Sequence, residues 1–384
     1  MDWSIEALVL SSPAVTIIVA LAVAGFIIIL IPVIMQVVDL APYMYTNAKI
    51  RALEAGLLKK QKLEDLKNVR TRMDCISSLE ETDYGAYLTK MEQPDSGEEM
   101  EQLLNKHTAE IYEKVKRSVP EEISPVIKDL MKIYDVKNIK MVFRAIRNEV
   151  PVEERTEFIL PIGLLKKSII KTLVESKTIE EAVSELESTE YGPIISGAMP
   201  KVEETGSLLP LELAIDKHVY EKTFRKVALS KSKNMVAVNI LLGTKIDILN
   251  LKTLFRLNAT GKRPDDIEDF IIRASHKFSD EKLKALAKTE TIEELLSQLE
   301  GTPYADVLSE VVTSFKDTNS LYQIEKRLDD YFERTAKQVS INYGLGAGPA
   351  LYLLSGKEAD IRKIRMIAEF GCSGINIETG GVAR

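Results

Sequence analysis

Two cysteines, Cys75 and Cys372, stand in 384 residues. They are too few and too far apart for a disulfide framework or a cysteine metal site, and such usage suits a reducing compartment. The only histidines are His107, His218 and His276, which leaves little material for acid and base chemistry or metal ligation. Aromatics are 6% of the chain, and no stretch shows the sustained alternation of a β-strand, so a sheet protein is disfavoured.

Phosphate loops are missing too. Gly344-Leu-Gly-Ala-Gly348 follows no strand and lacks the spacing of a dinucleotide fingerprint. Around Ser355-Gly-Lys357, Glu358 replaces the hydroxyl residue of a nucleotide loop and Leu351 replaces its first glycine. A net charge of −7 argues against nucleic acid as the main partner. No catalytic, cofactor-binding or metal-binding residue is assigned, and the residues that bind partners stay unknown.

What is present begins with the N-terminus. Between residues 13 and 35 no residue is charged and only Thr16 is clearly polar. At about 1.5 Å per residue this run can cross a hydrocarbon core of about 30 Å, so it is a transmembrane helix candidate. Asp2 and Glu6 precede it and no small-residue cleavage site follows, unlike a secretory signal. Lys49, Arg51, Lys59, Lys60 and Lys62 follow the run, which predicts the N-terminus outside and the chain after Asp39 on the cytoplasmic side.

The body repeats itself. Leu79-Glu-Glu-Thr-Asp-Tyr84 recurs as Leu186-Glu-Ser-Thr-Glu-Tyr191 and Leu299-Glu-Gly-Thr-Pro-Tyr304. Eleven residues before the Thr of each copy stands another, Thr71, Thr178 and Thr291, followed three residues on by Asp74, Glu181 and Glu294. That spacing is a capping box, so a helix starts at each early Thr. The later ones, Thr82, Thr189 and Thr302, are expected to cap a second helix.

Two further features accompany each copy. Asp135, Asn138, Lys140 and Phe143-Arg144 recur as Asp247, Asn250, Lys252 and Phe255-Arg256, with partial echoes at Asn47 and Lys49 and at Asp360 and Arg362. Leu104-Asn-Lys-His107, Ile215-Asp-Lys-His218 and Leu328-Asp-Asp-Tyr331 also correspond, which favours structural histidines. The copies lie too far apart for a solenoid, whose period is tens of residues, and point to domain-sized units. The expected organisation is all-α: an anchor over residues 1–42, spanning at about 13–35, then helical repeats at 43–148, 149–257 and 258–384.

These corners, the opening Tyr43-Met-Tyr-Thr-Asn-Ala-Lys-Ile-Arg-Ala52, and the closing Gly348-Pro, Tyr352-Leu-Leu and Lys357-Glu-Ala-Asp-Ile-Arg-Lys-Ile-Arg365 resemble the C subunit of archaeal A-type ATP synthases. That family is similar to the d subunit of vacuolar-type ATPases. The resemblance runs from about Tyr43 to Phe370. It implies an all-α funnel of three pseudo-symmetric repeats, a non-catalytic rotor part at the cell membrane. Its implied partners are the proteolipid ring and the central-shaft subunits, with no small-molecule substrate and no cofactor. It implies a role in ATP synthesis and hydrogen ion transport, although the choice between H⁺ and Na⁺ lies in the proteolipid. Residues 13–35 are an addition to the soluble family body, and a rotor helix that must clear the stator belongs in the ring lumen. The competing reading is a membrane-anchored helical scaffold or adaptor unrelated to rotary ATPases, and an enzyme is a third.

Overall fold

The computed structural model describes residues 13–93, 96–230, 232, 234–260, 267–311, 321–370, 375–376 and 381–382. Asp2, Glu6, Pro94, Gly261 and Cys372 lie outside them. Helix dominates, and the β structure among the described residues is one short antiparallel pair, Ile375–Asn376 with Gly381–Val382. Seven described helices have twenty residues or more: α1 Pro13–Glu54, α2 Gly97–Ser118, α3 Ser124–Arg147, α4 Leu209–Ala228, α5 Asn234–Thr260, α6 Tyr322–Asn342 and α7 Gly348–Phe370.

Short helices start where the hydroxyl-to-acid spacing places them. Thr71, Thr178 and Thr291 accept the amides of Asp74, Glu181 and Glu294 at 3.0, 3.2 and 3.1 Å, opening Arg72–Leu79, Ile179–Leu186 and Ile292–Gln298. Asp74 reaches back to the amide of Thr71 itself, whereas Glu181 and Glu294 take the amides of Lys177 and Glu290, one residue earlier. Either way two otherwise unpartnered amides are satisfied.

The later threonines do something else. Thr82, Thr189 and Thr302 each donate their hydroxyl to the carbonyl of the leucine three residues back, at 2.6, 2.6 and 2.7 Å. They close the helix behind them, and none makes a side-chain N-cap bond, although Thr302 does stand at the N-cap position of Pro303–Leu308 with Pro303 opening that helix. The first two instead accept the amides of Tyr84 and Tyr191 two residues on, a local turn that competes with helix capping.

Three apolar cores hang on these corners. One gathers Leu173, Leu186, Tyr191, Leu211 and Ile215 around Val136, Ile139 and Phe143 of α3. Another gathers Leu286, Leu295, Leu299, Tyr304 and Leu328 around Ile248, Leu251 and Phe255 of α5. The remaining corner gathers Leu66, Cys75, Leu79, Tyr84 and Leu104 around Ile361, Ile364 and Ile367 of α7, so the last long helix of the chain serves the first corner. Each of α2 to α7 packs on the next and α7 packs back on α2, closing a ring of six helices. A central core made of Ile111, Tyr112, Met131, Val238, Leu241, Val339, Leu351 and neighbours fills one end of that ring.

At that end lie the links between α2 and α3, α4 and α5, and α6 and α7, and there α1 is attached. Tyr43 donates to Glu122 at 2.7 Å, Thr46 to the Ser118 carbonyl at 2.6 Å, and Asn47 to the carbonyls of Gly344 and Gly346 at 3.0 and 3.1 Å. Before Tyr43 no described side chain of α1 is buried. Two described helices are long and apolar enough to cross a membrane. In α5 67% of the apolar window is buried in the protein, which makes it a core helix, whereas the window in α1, of mean hydropathy 3.2, has no buried residue.

Candidate functional site

The free end of the ring is lined with charge. Its registration comes from three aspartates, Asp135 on α3, Asp247 on α5 and Asp360 on α7, each buried and each accepting the hydroxyl of a corner tyrosine. Tyr191 donates to Asp135 at 3.2 Å, Tyr304 to Asp247 at 2.8 Å and Tyr84 to Asp360 at 2.9 Å. Each carboxylate also holds the segment that leads to its corner, through the amides of Leu164 and Leu165, of His276 and Lys277, and of Leu58. Gly163 makes the first approach possible: its φ is 133° and a Cβ there would stand 2.2 Å from the Asp135 carboxylate. Burial raises all three carboxyls above the ordinary aspartate value, Asp360 to about 6, against the lowering effect of their donors.

Asn138 and Asn250 lie one turn further along and bracket both backbone groups of Leu160 and Ile272 at 2.8 to 3.0 Å. Asn47 does not share that role, since it holds two glycine carbonyls. Asp360 corresponds by its bonds to Asp135 and Asp247, three residues out of step with the echo of Asn138 expected from sequence.

Counting from these aspartates puts the charges in tiers. Five residues on stand Lys140, Lys252 and Arg365. Lys140 pairs with Asp216 at 2.6 Å and Lys252 with Asp329 at 2.8 Å. Asn105 occupies the matching place on α2, and Arg365 pairs instead with Glu101 at 2.8 Å. Arg144 and Arg256 add bidentate bonds to Glu212 and Glu325 at 2.5 to 2.7 Å. These pairs fasten α3 to α4, α5 to α6 and α7 to α2.

Deeper tiers differ between the three helices. Two residues after the aspartates stand Lys137, Leu249 and Arg362, and two residues before them stand Ile133, Lys245 and Glu358. Glu358 accepts the hydroxyls of Tyr112 at 2.7 Å and Tyr134 at 2.5 Å, which ties α7 to α2 and α3. Burial by itself would raise its carboxyl, but Lys137 and Lys245, with the two hydroxyls, hold it below the ordinary value. Lys137 is exposed, yet desolvation is the main cause lowering its ammonium pKa, as it is for half-buried Lys245. Lys137 keeps access to solvent, and Lys245 reaches into a recess between the helices. All six ring helices line the cavity at its base, of about 70 Å³, through Tyr112, Ile133, Tyr220, Lys245, Phe332 and Glu358.

The opposite end exposes apolar side chains among charged ones such as Lys49, Arg117 and Glu121. Around the root of α1, Met44, Tyr45, Leu229, Ile341 and Leu345 are all exposed. Such a patch beside an apolar helix marks an interaction surface.

The residues singled out from sequence occupy structural places. His107 is buried between the rings of Tyr84 and Tyr87, with centroids at 5.0 and 4.6 Å. Burial first, and Lys357 second, push its imidazole down to about 4. Lys357 is wholly buried, donating to the Gly56 carbonyl at 2.8 Å and to Asp83 at 3.0 Å. His218 repeats the arrangement with Glu190 and Lys132, which pair at 2.6 Å, while Thr244, Pro303 and Tyr331 take the three matching places at the last corner. His276 lies at the Asp247 anchor, Cys75 is buried in a core, and Gly344 and Gly346 receive Asn47. Among the described residues no group of histidine, cysteine or acidic side chains could hold a metal ion. The deep tiers were missed from sequence, because the offset that relates Lys245 to Asp247 and Glu358 to Asp360 shows only once Asp360 is matched to Asp247 by its bonds.

A closed helical ring with an apolar helix at one end and a charged recess at the other has the form of an assembly component. Residues 46–379 match the family described as ATP synthase (C/AC39) subunit, and the chain belongs to that family. It is similar to the C subunit of the A-type ATP synthase of Methanocaldococcus jannaschii, 32% identical over 93% of this chain and 89% of that protein. Similar proteins of the same name occur in Methanothermobacter thermautotrophicus, 31% identical over 89% of this chain and 87% of that protein, and in Pyrococcus abyssi, 30% identical over 88% of each. The chain is a rotary ATPase component of a membrane-associated complex, which removes the reading of an unrelated scaffold.

Proposed function

We propose that this chain is the non-catalytic coupling piece of an A-type ATP synthase rotor, joining the central shaft to the proteolipid ring and passing torque between ion translocation and ATP synthesis. The observation that carries the reading is the opposition of the two ends of the six-helix ring. The end that bears α1 faces the membrane: Tyr43 follows the apolar run by eight residues, about 12 Å of helix, so the body starts at headgroup depth. The charged end faces away and receives the shaft.

The three units of the funnel are drawn by their cores in place of the bounds 43–148, 149–257 and 258–384 expected from sequence, each a long helix with its corner: α3 with residues 151–228, α5 with residues 267–342, and α7 with residues 57–118. Residues 13–35 span the membrane inside the ring lumen, with the N-terminus outside and the body on the cytoplasmic face. Torque passes through rigid helices held by paired charges and buried anchors, and no small-molecule substrate, cofactor or nucleic acid takes part. The test is to tag the C-terminus, solubilise membranes in mild detergent and identify the partners by mass spectrometry. Nucleotide-binding subunits, shaft subunits and proteolipid in fixed ratio are expected. Recovery of the chain alone, or with unrelated partners, would overturn the reading.

A further inference from the structure

On a scaffold that repeats its anchors three times, the recess is the part that does not repeat. Equivalent positions carry Ile133, Lys245 and Glu358 in one tier and Lys137, Leu249 and Arg362 in the next. The cations of the outer tiers are all paired, and Arg362 pairs with Glu333 at 3.1 Å. Lys137 and Lys245 form no ion pair with a described residue; they lie over the rings of Tyr134 and Phe332, at 4.4 and 4.8 Å from the centroids. Both act on Glu358. Asp216 and Asp329, which also attract Lys137 and Lys245, are already paired with Lys140 and Lys252, so the two ammonium groups share a single carboxylate not taken by another cation. Lys137 is exposed and Lys245 half-buried, so both can meet an incoming group, and a partner carboxylate complements their charge.

We propose that the recess is a rotational key. It takes an acidic side chain from the tip of the central shaft between Lys137 on α3 and Lys245 on α5, while Glu358 on α7 turns the same group away. The inference rests on the coupling reading above and adds the chemistry of the contact and its angular sense. A socket with threefold chemistry would accept the shaft in three positions a third of a turn apart. Unequal charge at equivalent places leaves one, because a like charge in the wrong position is repelled while an opposite charge in the right one is attracted. Ile133, Tyr220 and Phe332 suit the aliphatic stem of a glutamate whose carboxylate meets the lysines.

The test uses the complete complex immobilised through this chain and washed with rising salt, with retained shaft and proteolipid measured separately. K137E with K245E is expected to weaken shaft retention about tenfold or more, with proteolipid held as in the native complex. K137M with K245M, which keeps the stems, loses less. A photo-crosslinking residue in place of Leu249 should mark one face of the shaft in the native chain and a different or mixed face in K137E/K245E/E358K. An unchanged salt profile and an unchanged crosslinked face would overturn the key and leave the coupling reading standing. A native chain that retains proteolipid but no shaft at low salt would overturn both. Should K137E/K245E lose both partners, the methionine variant decides: native shaft retention in it overturns the key.

Discussion

The hydroxyl of Tyr84 donates to Asp360, 276 residues further along the chain, at 2.9 Å. The last long helix thereby completes the first corner and closes the ring. Removing that hydroxyl leaves Asp360 with the Leu58 amide, whereas in the corresponding variants Asp135 keeps two amides and Asp247 keeps two amides and the Ser275 hydroxyl. Y84F should therefore lose about 1–3 kcal/mol and more than Y191F or Y304F, as read from denaturant unfolding. Equal losses at all three corners would show that the remaining donors do not matter.

Truncation before α7 should open the first core while the other two keep their helices. Cys75 is buried there against Ile361, Ile364 and Ile367. In a chain ending at residue 347, Cys75 is expected to react with a maleimide at a rate near that of the unfolded protein, against slow labelling in a full-length C372S control. Continued protection of Cys75 would mean that α7 is dispensable for that core.

Acidification should work on the first corner in two opposite directions. The Asp360 carboxyl is raised to about 6, so folding takes up a proton and this group adds stability as pH falls from 7 to 5. The His107 imidazole is depressed to about 4, so its contribution is present above about 6.5 and is lost as pH falls. D360N should remove a gain of about 1 kcal/mol over that window, and H107Q a loss of about 2 kcal/mol. Stability curves at pH 7 and 5 that shift in the same direction for both variants would contradict the assignment.

Without residues 1–42 the chain should lose its own hold on the membrane. Expressed without other subunits, the full chain is expected in the membrane fraction after an alkaline wash and the shortened one in the supernatant. An identical partition of the two would show that α1 is not the anchor.

How much of this could be read beforehand follows from the range of each interaction. The capping hydroxyls act within four residues, so Thr71, Thr178 and Thr291 were legible, and the unburied window of α1 is a property of composition alone. Thr82 and Thr189 misled, because a hydroxyl can serve the helix behind it or the one ahead and both uses have the same sequence, whereas Thr302 does precede the helix Pro303–Leu308. The pairing of Asp360 with Tyr84 was hidden by distance along the chain, and the different spacing on α7 led the comparison to Asn138 when Asp135 was the counterpart. The recess was illegible for another reason: Lys137 and Lys245 look like solvated helix charges until six helices are seen to surround them.

The most direct measurement places photo-crosslinking residues at the two ends of the ring in the native complex, at Ile341 beside the root of α1 and at Leu249 in the recess. The account predicts that position 341 labels the proteolipid and position 249 labels the central shaft. Labelling of stator subunits from either position, or of one partner from both, would contradict it.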